Sequence, residues 1–154
     1  MESTDDLKEQ VRQLTQLDQR LNQIYHAMSL RCGLSDAAHC ILYAVYDASQ
    51  PYTQQDLCQA WSYSKQTVHS AVALLRQRGY VTLRPLAKGR NQKAVELTEE
   101  GRRFCQAAVV PLRQAEIQAF ARLTIEERQT FLSLYRIQLD YLQEEVQKIP
   151  RFEA

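Results

Sequence analysis

The sequence predicts a mainly α-helical fold that contains one small β-hairpin. Apolar residues recur three and four positions apart along most of the chain, which is the period of an amphipathic helix. One stretch, from Val81 to Leu97, instead has the composition of two strands joined by a turn. Four glycines and four prolines in 154 residues leave little room for long irregular segments.

The first predicted helix runs from about residue 5 to 30. Its apolar stripe is made of Leu7, Val11, Leu14, Leu21, Tyr25 and Met28, and is widened by Leu17 and Ile24. One small domain does not readily cover a face of this length, so we expect the helix to pack in a homodimer. Gly33 ends it, and Ser35 is expected to cap a second helix.

Two helices joined by a short turn are predicted next, after a turn over residues 48–52. Thr53 and Asp56 have nearly the spacing of a capping box, and the third helix they begin has about eight residues. Ser64 caps the fourth helix, whose buried face is predicted from the spacing of Val68, Ala71, Val72 and Leu75. The polar side chains near its N-terminus then face outward: Lys65, Gln66, Thr67, His69 and Ser70.

The hairpin follows Gly79, which ends the fourth helix. Residues 81–83 read as a strand, residues 84–92 as a basic loop, and residues 94–97 as the return strand. The short third helix, the turn and the fourth helix with its polar N-terminal end make a helix-turn-helix. The hairpin that follows them makes a wing.

Two long helices complete the predicted fold. Thr98 caps the first, and Pro111 should kink or locally break it. Thr124 and Glu127 form a capping box for the last helix, which runs to about Lys148.

Positive charge is concentrated in the middle third of the chain. Residues 51–103 hold nine Lys and Arg against four Asp and Glu, whereas residues 1–50 and 104–154 are each net negative. A concentrated positive face favours a polyanionic partner because neutralised phosphates release counterions. A merely solvated charged surface is the alternative, and charge alone does not decide between them.

The order and spacing of these motifs resemble the MarR family of bacterial winged-helix transcriptional regulators. The motifs are Leu34-Ser35 with Leu42, Thr53 with Leu57, Thr67-Val68 with Leu75 and Gly79-Tyr80-Val81, Leu97-Thr98-Glu99-Glu100-Gly101-Arg102, and Leu123-Thr124 with Glu126-Glu127. The resemblance implies a single MarR-like domain over residues 1–154. In it, a winged helix-turn-helix at about 35–103 is flanked by N- and C-terminal dimerisation helices at about 1–32 and 104–154.

The resemblance also implies a function. A homodimer would bind a palindromic operator in double-stranded DNA, with repression as the expected mode and release by a small-molecule ligand as a further expectation. Carried over by position, residues 64–70 begin the recognition helix and residues 88–93 belong to the wing. Where the family often has Asp-x-Arg in the wing, this chain has Gly89-Arg90-Asn91, and Ser70 stands where Arg is common, so Arg90 is the expected substitute for a minor-groove arginine.

The chemistry of the exposed side chains suits DNA. Gln66 can bond an adenine edge bidentately, Lys65 suits a guanine edge or a phosphate, and Thr67 can touch a thymine methyl. Wing cations would contact phosphate or the minor groove. The complete expected set is Thr53, Ser64, Lys65, Gln66, Thr67, His69, Ser70, Arg84, Lys88, Arg90, Asn91 and Lys93.

An effector pocket and a sensor role remain open. Six residues could line a pocket for a small aromatic effector, where MarR relatives bind such ligands: Tyr25, His26, His39, Tyr43, Tyr46 and Phe104. Aromatic residues at such spacing are more often part of a core. The cysteines Cys32, Cys40, Cys58 and Cys105 are expected to be buried thiols, although an oxidation sensor, or a metal sensor using His26, Cys32, His39 and Cys40, is an alternative of the same fold.

Other classes of protein are disfavoured. The chain carries no phosphate-binding glycine loop and no hydrolase or metalloprotease motif, so we expect no enzyme activity, cofactor or metal. Without a long apolar run or a signal-like N-terminus, we expect no membrane association and a cytoplasmic location. A winged helix used for protein contacts is the remaining rival. The basic and hydrogen-bonding side chains at the N-terminal end of the fourth helix favour DNA instead.

Overall fold

The computed structural model describes residues 4–87 and 91–151 of the chain. It divides into two compact units, Met1–Leu112 and Arg113–Ala154. In chain order the elements are α1 (Thr4–Arg31), α2 (Asp36–Tyr46), β1 (Tyr52–Thr53), α3 (Gln54–Trp61), α4 (Lys65–Gln77), β2 (Val81–Pro85), β3 (Lys93–Leu97), α5 (Glu99–Ala108), α6 (Val110–Ala121) and α7 (Ile125–Gln147). The predicted mainly α-helical class is confirmed.

Side-chain caps set the starts of these helices. A hydroxyl oxygen accepts a hydrogen bond from a backbone N–H of the first turn, which satisfies a donor that has no partner inside the helix. Both predicted capping boxes are complete, in α3 and in α7. All the predicted caps are confirmed: Ser35, Thr53, Ser64, Thr98 and Thr124.

The core of the first unit lies where α2, α3 and α4 meet the sheet. The four apolar residues predicted for the inner face of α4 are all buried. They pack with Ile41 and Leu42 of α2 and with Leu57 of α3. Burying one large aliphatic side chain contributes roughly 1.5–3 kcal/mol, so this cluster fixes which face of α4 is turned outward.

The sheet differs from the prediction in two places. Its order is β1-β3-β2, and Tyr52 and Thr53 of β1 pair with Val95 and Ala94 of β3. The sequence placed Tyr52 in a turn, which is wrong, because a two-residue strand is too short to show alternation and forms only through its partner. Arg84 and Pro85 were assigned to a loop but extend β2, and Pro85 is tolerated because β2 is an edge strand.

Two sequence motifs meet where β2 begins. Gly79 has a φ of +76°, which ends α4, and the Tyr80 carbonyl then accepts a hydrogen bond from the Thr98 N–H at 3.0 Å. A Cβ on Gly101 would lie 1.9 Å from that carbonyl oxygen, so only glycine fits in the first turn of α5. The Tyr80 and Phe104 rings stack with centroids 4.3 Å apart. The Gly-Tyr-Val and Thr-Glu-Glu-Gly motifs therefore pack directly against each other and connect the start of β2 to the start of α5.

The helices that follow the sheet agree with the prediction. Helix α5 ends at Ala108 and α6 begins at Val110, so the break expected near Pro111 is confirmed. Proline lacks an N–H and its ring clashes with the carbonyl four residues earlier, which explains the interruption. Helix α7 ends at Gln147 with Lys148 as its C-cap. Within the described ranges, no helix is long and apolar enough to cross a membrane.

Candidate nucleic-acid interface

The turn between α3 and α4 fixes where α4 begins. Ser62 adopts a left-handed conformation with a φ of 53°, which reverses the chain after α3. The Ser64 Oγ then accepts from the Thr67 N–H at 3.0 Å and shares a hydrogen bond with the Thr67 Oγ1 at 2.8 Å. The first turn of α4 is therefore held by its own cap.

The outer face of α4 presents the side chains expected from the sequence. Lys65, Gln66, Thr67, His69 and Ser70 are all exposed, since the opposite face is docked in the core. No acidic residue lies in the first turn of α4, whereas α1, α2, α3, α5 and α7 each carry at least one there. The first turn of α4 therefore adds no carboxylate near the positive end of its helix dipole, and the same is true of the first turn of α6.

A groove of about 440 Å³ opens between α3 and α4. Three residues of α3 and three of α4 line it, and none of the six is acidic: Gln54, Gln55, Cys58, Lys65, Gln66 and His69. The contribution of α3 was missed in the sequence. A usable signal was present, because Gln-Gln-x-x-Cys and Lys-Gln-x-x-His have the same spacing and bring one face of each helix to a shared groove.

Some residues expected to contact DNA also have structural hydrogen bonds. The Thr53 N–H and hydroxyl both donate to Asp56 Oδ2, at 2.8 and 2.7 Å, and the Asp56 N–H donates to Thr53 Oγ1 at 3.2 Å. Ser64 and Thr67 form the α4 cap. These three hydroxyls serve first to shape the helix starts.

The wing is joined to the helix-turn-helix by β1. Thr53, the N-cap of α3, is also paired with Ala94 in the central strand. The Arg84 Nε donates to the Glu96 Oε1 at 2.7 Å across the hairpin. Lys93 is exposed in β3, and Asn91 has a φ of 65°. Lys88, Gly89 and Arg90 lie outside the described residues.

The two histidines of the expected effector pocket are engaged in local contacts. His39 is only 4% exposed, and its Nε2 lies 2.8 Å from the Ala108 carbonyl oxygen. Its Nδ1 lies 3.1 Å from the Ser29 Oγ. His26 lies at the surface with its Nδ1 3.0 Å from both carboxylate oxygens of Asp36. His39 thus joins α1, α2 and the end of α5 as a buried polar bridge.

The aromatic residues of that set pack in several places. Phe104 stacks on Tyr80, and the Tyr43 and Trp61 rings pack edge to face with their centroids 6.4 Å apart. Gln106 Nε2 donates to the Tyr46 hydroxyl at 2.7 Å. Tyr25 lies in α1 and is 38% exposed. The effector pocket therefore stays a prediction.

The cysteines are free thiols with different degrees of burial. Cys105 is buried, and the other three are half-buried. Burial raises the pKa of Cys32. Burial also raises the pKa of Cys40, a shift that the hydrogen bond from the Tyr63 hydroxyl partly offsets and the charge of Asp36 increases. Since the thiolate is the reactive form, these shifts disfavour Cys32 and Cys40 as oxidation sensors.

The open alternative of a metal sensor has no geometric support. In the parts of the chain that the structure describes, no three His, Cys, Asp or Glu side chains come together in a way that could hold a metal ion.

The order of elements defines the class of protein. A helix-turn-helix is followed by a hairpin that pairs with a strand preceding it, and long helices lie before and after in the chain, which together make a winged helix. Residues 33–90 match the model of the MarR family.

Solved structures share this fold over most of the chain. S. aureus MepR in its DNA-binding conformation is 16% identical, covers 86% of this chain and 97% of its own, and has a TM-score of 0.73. The S. aureus MepR–DNA complex is 17% identical, covers 85% and 96%, and has a TM-score of 0.69. A MarR/EmrR family transcriptional regulator from Acinetobacter sp. ADP1 is 19% identical, covers 92% and 97%, and has a TM-score of 0.68. No curated protein sequence matches the chain. The predicted resemblance to the MarR family of transcriptional regulators is confirmed, and so is its winged-helix fold.

Proposed function

We propose that the chain is a sequence-specific, DNA-binding transcriptional regulator in which α4 enters the major groove. The observation that carries this proposal is the division of α4 into two faces. One face is fixed in the core by four buried apolar residues, and the other presents amide, hydroxyl, imidazole and ammonium groups at its N-terminal end. These groups can read base edges and bind phosphate.

Electrostatics supports an anionic partner at the same end of α4. A helix N-terminus attracts anions because its first N–H groups and the helix dipole point outward. Lys65 occupies the first turn of α4, and that turn contains no acidic residue. A DNA phosphate would supply the missing negative charge. This arrangement disfavours the rival view of a winged helix that binds proteins, because in such a protein an apolar or acidic surface is expected at the N-terminal end of α4.

The proposed contacts fall into three groups. Lys65, Gln66 and His69 are the proposed readers of base edges, since they line the groove between α3 and α4. Wing residues are proposed to contact the DNA backbone or the minor groove. Thr53, Ser64 and Thr67 are proposed to contact DNA from within their caps, and Ser70 from the second turn of α4. The wing group comprises Arg84, Lys88, Arg90, Asn91 and Lys93.

A homodimer is proposed as the active form. Helix α1 leaves Leu17 60% and Leu21 48% exposed, among several other large apolar side chains along its length. Helix α7 of the second unit likewise leaves Leu134 61% and Tyr141 64% exposed. Soluble monomers rarely expose contiguous apolar faces of this extent, so we propose that a second copy covers them. Two copies related by a two-fold axis fit a palindromic operator.

Repression is the proposed mode, and a small aromatic effector is the proposed signal for release. We propose that the whole chain acts as one MarR-like module and that it acts where the chromosomal DNA lies, in the cytoplasm. The MepR–DNA complex supports the DNA-binding part of this proposal by its likeness in fold.

The experiment is fluorescence anisotropy with two duplexes of equal length, one from the DNA upstream of the protein's own gene and one of scrambled sequence. The proposal expects tighter binding to the upstream duplex, and affinity that falls steeply as salt rises from about 50 to 200 mM. Equal affinity for both duplexes would contradict sequence-specific binding to that upstream DNA. Absence of binding to either duplex at low salt would contradict DNA binding altogether.

A further inference from the structure

The wing contains an ion pair that joins its two strands. Arg84 of β2 and Glu96 of β3 are partly exposed, with the Arg84 Nε donating to the Glu96 Oε1 at 2.7 Å. In the strand register Arg84 lies opposite Ala94, and Glu96 lies opposite Thr82. The pair is therefore diagonal, between residues on the same face of the hairpin.

The register also places Arg84 in one row of the sheet with a residue of the helix-turn-helix. Ala94 lies between Arg84 on β2 and Thr53 on β1, so these three residues form one row across the sheet. Ala94 is buried and contributes only a methyl group to that row. Thr53 is the N-cap of α3, so Arg84 lies in the same row of the sheet as the start of that helix.

We propose that Glu96 is a positioning residue that holds the Arg84 guanidinium by its Nε, so that both terminal nitrogens are presented to a phosphate of the DNA backbone. This inference rests on the proposed DNA-binding function. Guanidinium is planar and has five donors in a fixed fork. A bond at Nε fixes the plane and leaves the terminal NH₂ groups to make a bidentate contact with phosphate.

Electrostatics alone makes the opposite prediction about Glu96. A carboxylate on a surface that faces DNA repels phosphate, so its removal should tighten binding. If Glu96 positions Arg84, its removal should weaken binding because Arg84 becomes a mobile side chain that must be ordered on the DNA. The sign of the change therefore separates the two accounts.

The test compares Glu96→Ala, Glu96→Gln, Arg84→Ala and the double variant Arg84→Ala/Glu96→Ala in the full-length protein. Binding to the upstream and scrambled duplexes is measured by anisotropy over a range of salt concentrations. Arg84→Ala is expected to weaken binding to both duplexes by about tenfold, as the loss of a hydrogen bond to a charged group implies. It should lower the slope of log affinity against log salt by about one.

The Glu96 variants distinguish positioning of Arg84 from simple charge repulsion. Glu96→Ala should weaken binding to both duplexes in the direction of Arg84→Ala, and it should add nothing in the double variant. Glu96→Gln should bind nearly as tightly as the wild type, because its amide oxygen can still accept from the Arg84 Nε. This rescue would not occur if the carboxylate acted only through its charge.

Two controls separate the loss of Arg84 positioning from a general effect on charge or stability. Glu99→Ala removes another exposed carboxylate, in the first turn of α5, and leaves the Arg84–Glu96 pair intact. Thermal unfolding of every variant shows whether the substitution lowers the stability of the fold. Weakened binding by Glu96→Ala with an unchanged unfolding midpoint supports positioning, and a Glu96→Gln variant that restores binding supports it even if Glu96→Ala lowers the midpoint.

The results that overturn the inference are clear. Glu96→Ala that binds as tightly as the wild type or more tightly, Glu96→Gln that binds as weakly as Glu96→Ala, or additive losses in the double variant would each refute it while leaving the proposed function in place. A wild-type protein that binds neither duplex would refute the proposed function and this inference together.

Discussion

Gly101→Ala tests the close packing between the start of β2 and the start of α5. An added Cβ would lie 1.9 Å from the Tyr80 carbonyl oxygen and 2.8 Å from its carbonyl carbon, although real Cβ contacts essentially never fall below 3.0 Å. The oxygen must therefore move by at least 1.1 Å, from 1.9 to 3.0 Å. That atom belongs to the backbone and accepts from the Thr98 N–H, so it cannot move without disturbing the α5 cap.

The expected destabilisation follows from three contributions. Overpacking against backbone costs about 3 kcal/mol, at the upper end of the usual range. Loss of the bond between the Thr98 N–H and the Tyr80 carbonyl costs about 1 kcal/mol, and replacing glycine by alanine within a helix returns about 1 kcal/mol. The net loss in free energy of unfolding is about 3 kcal/mol, which lowers the unfolding midpoint by roughly 6–12 °C for a chain of this size.

The assay is urea unfolding, for the free energy, and thermal unfolding, for the midpoint, both followed by circular dichroism at one fixed protein concentration, because a dimer's stability depends on concentration. The matched control is Gly79→Ala, where the glycine has a φ of +76° and nothing lies within 4 Å of the added carbon. Conformational strain alone costs about 1–2 kcal/mol there. A Gly101→Ala variant no less stable than Gly79→Ala would refute the close approach of Tyr80 to α5.

Three further predictions concern α4, α1 and the turn. Ser64→Ala removes the α4 cap and should lower the free energy of unfolding by about 1 kcal/mol, measured in the same urea assay, whereas no change would show that the cap is not formed. Leu21→Glu should shift the protein from dimer to monomer in light scattering after gel filtration, and Gln16→Glu on the same helix should not; a dimer in both variants would contradict a dimer interface at Leu21. Burial, aided by the hydrogen bond to the Cys40 thiol, raises the pKa of Tyr63 to about 12, so an ultraviolet titration should show a late tyrosine step near pH 12, and Tyr63→Phe should remove this late step. Because the folded state holds that proton more tightly than the unfolded chain, the resulting stabilisation is present below about pH 10 and is lost as the pH rises towards 12; a titration with no late step would contradict the environment of Tyr63.

The features that the sequence predicted well depend on residues close together in the chain. Thr53 with Asp56, and Thr124 with Glu127, lie three residues apart, so their capping boxes could be read directly. The inner face of α4 follows from helical spacing alone. These local rules placed Gln66 on the outer surface, where the structure has it.

The features that the sequence missed depend on strand pairing and helix packing. Strand β1 exists only because Tyr52 and Thr53 find partners more than forty positions later, in β3. The Arg84–Glu96 pair depends on the hairpin register, which the loop assignment of residue 84 concealed. The groove shared by α3 and α4 required the angle between two helices, which no spacing within either helix supplies.

The central claim is that the N-terminal end of α4 reads DNA bases, and Gln66→Ala tests it most directly. Gln66 is exposed and lines the groove, so its truncation should leave the unfolding midpoint unchanged. In anisotropy at one fixed salt concentration, the variant should bind the upstream duplex with an affinity lower by about 1–3 kcal/mol and the scrambled duplex as the wild type does. An equal loss on both duplexes, or no loss on either, would contradict base reading by α4.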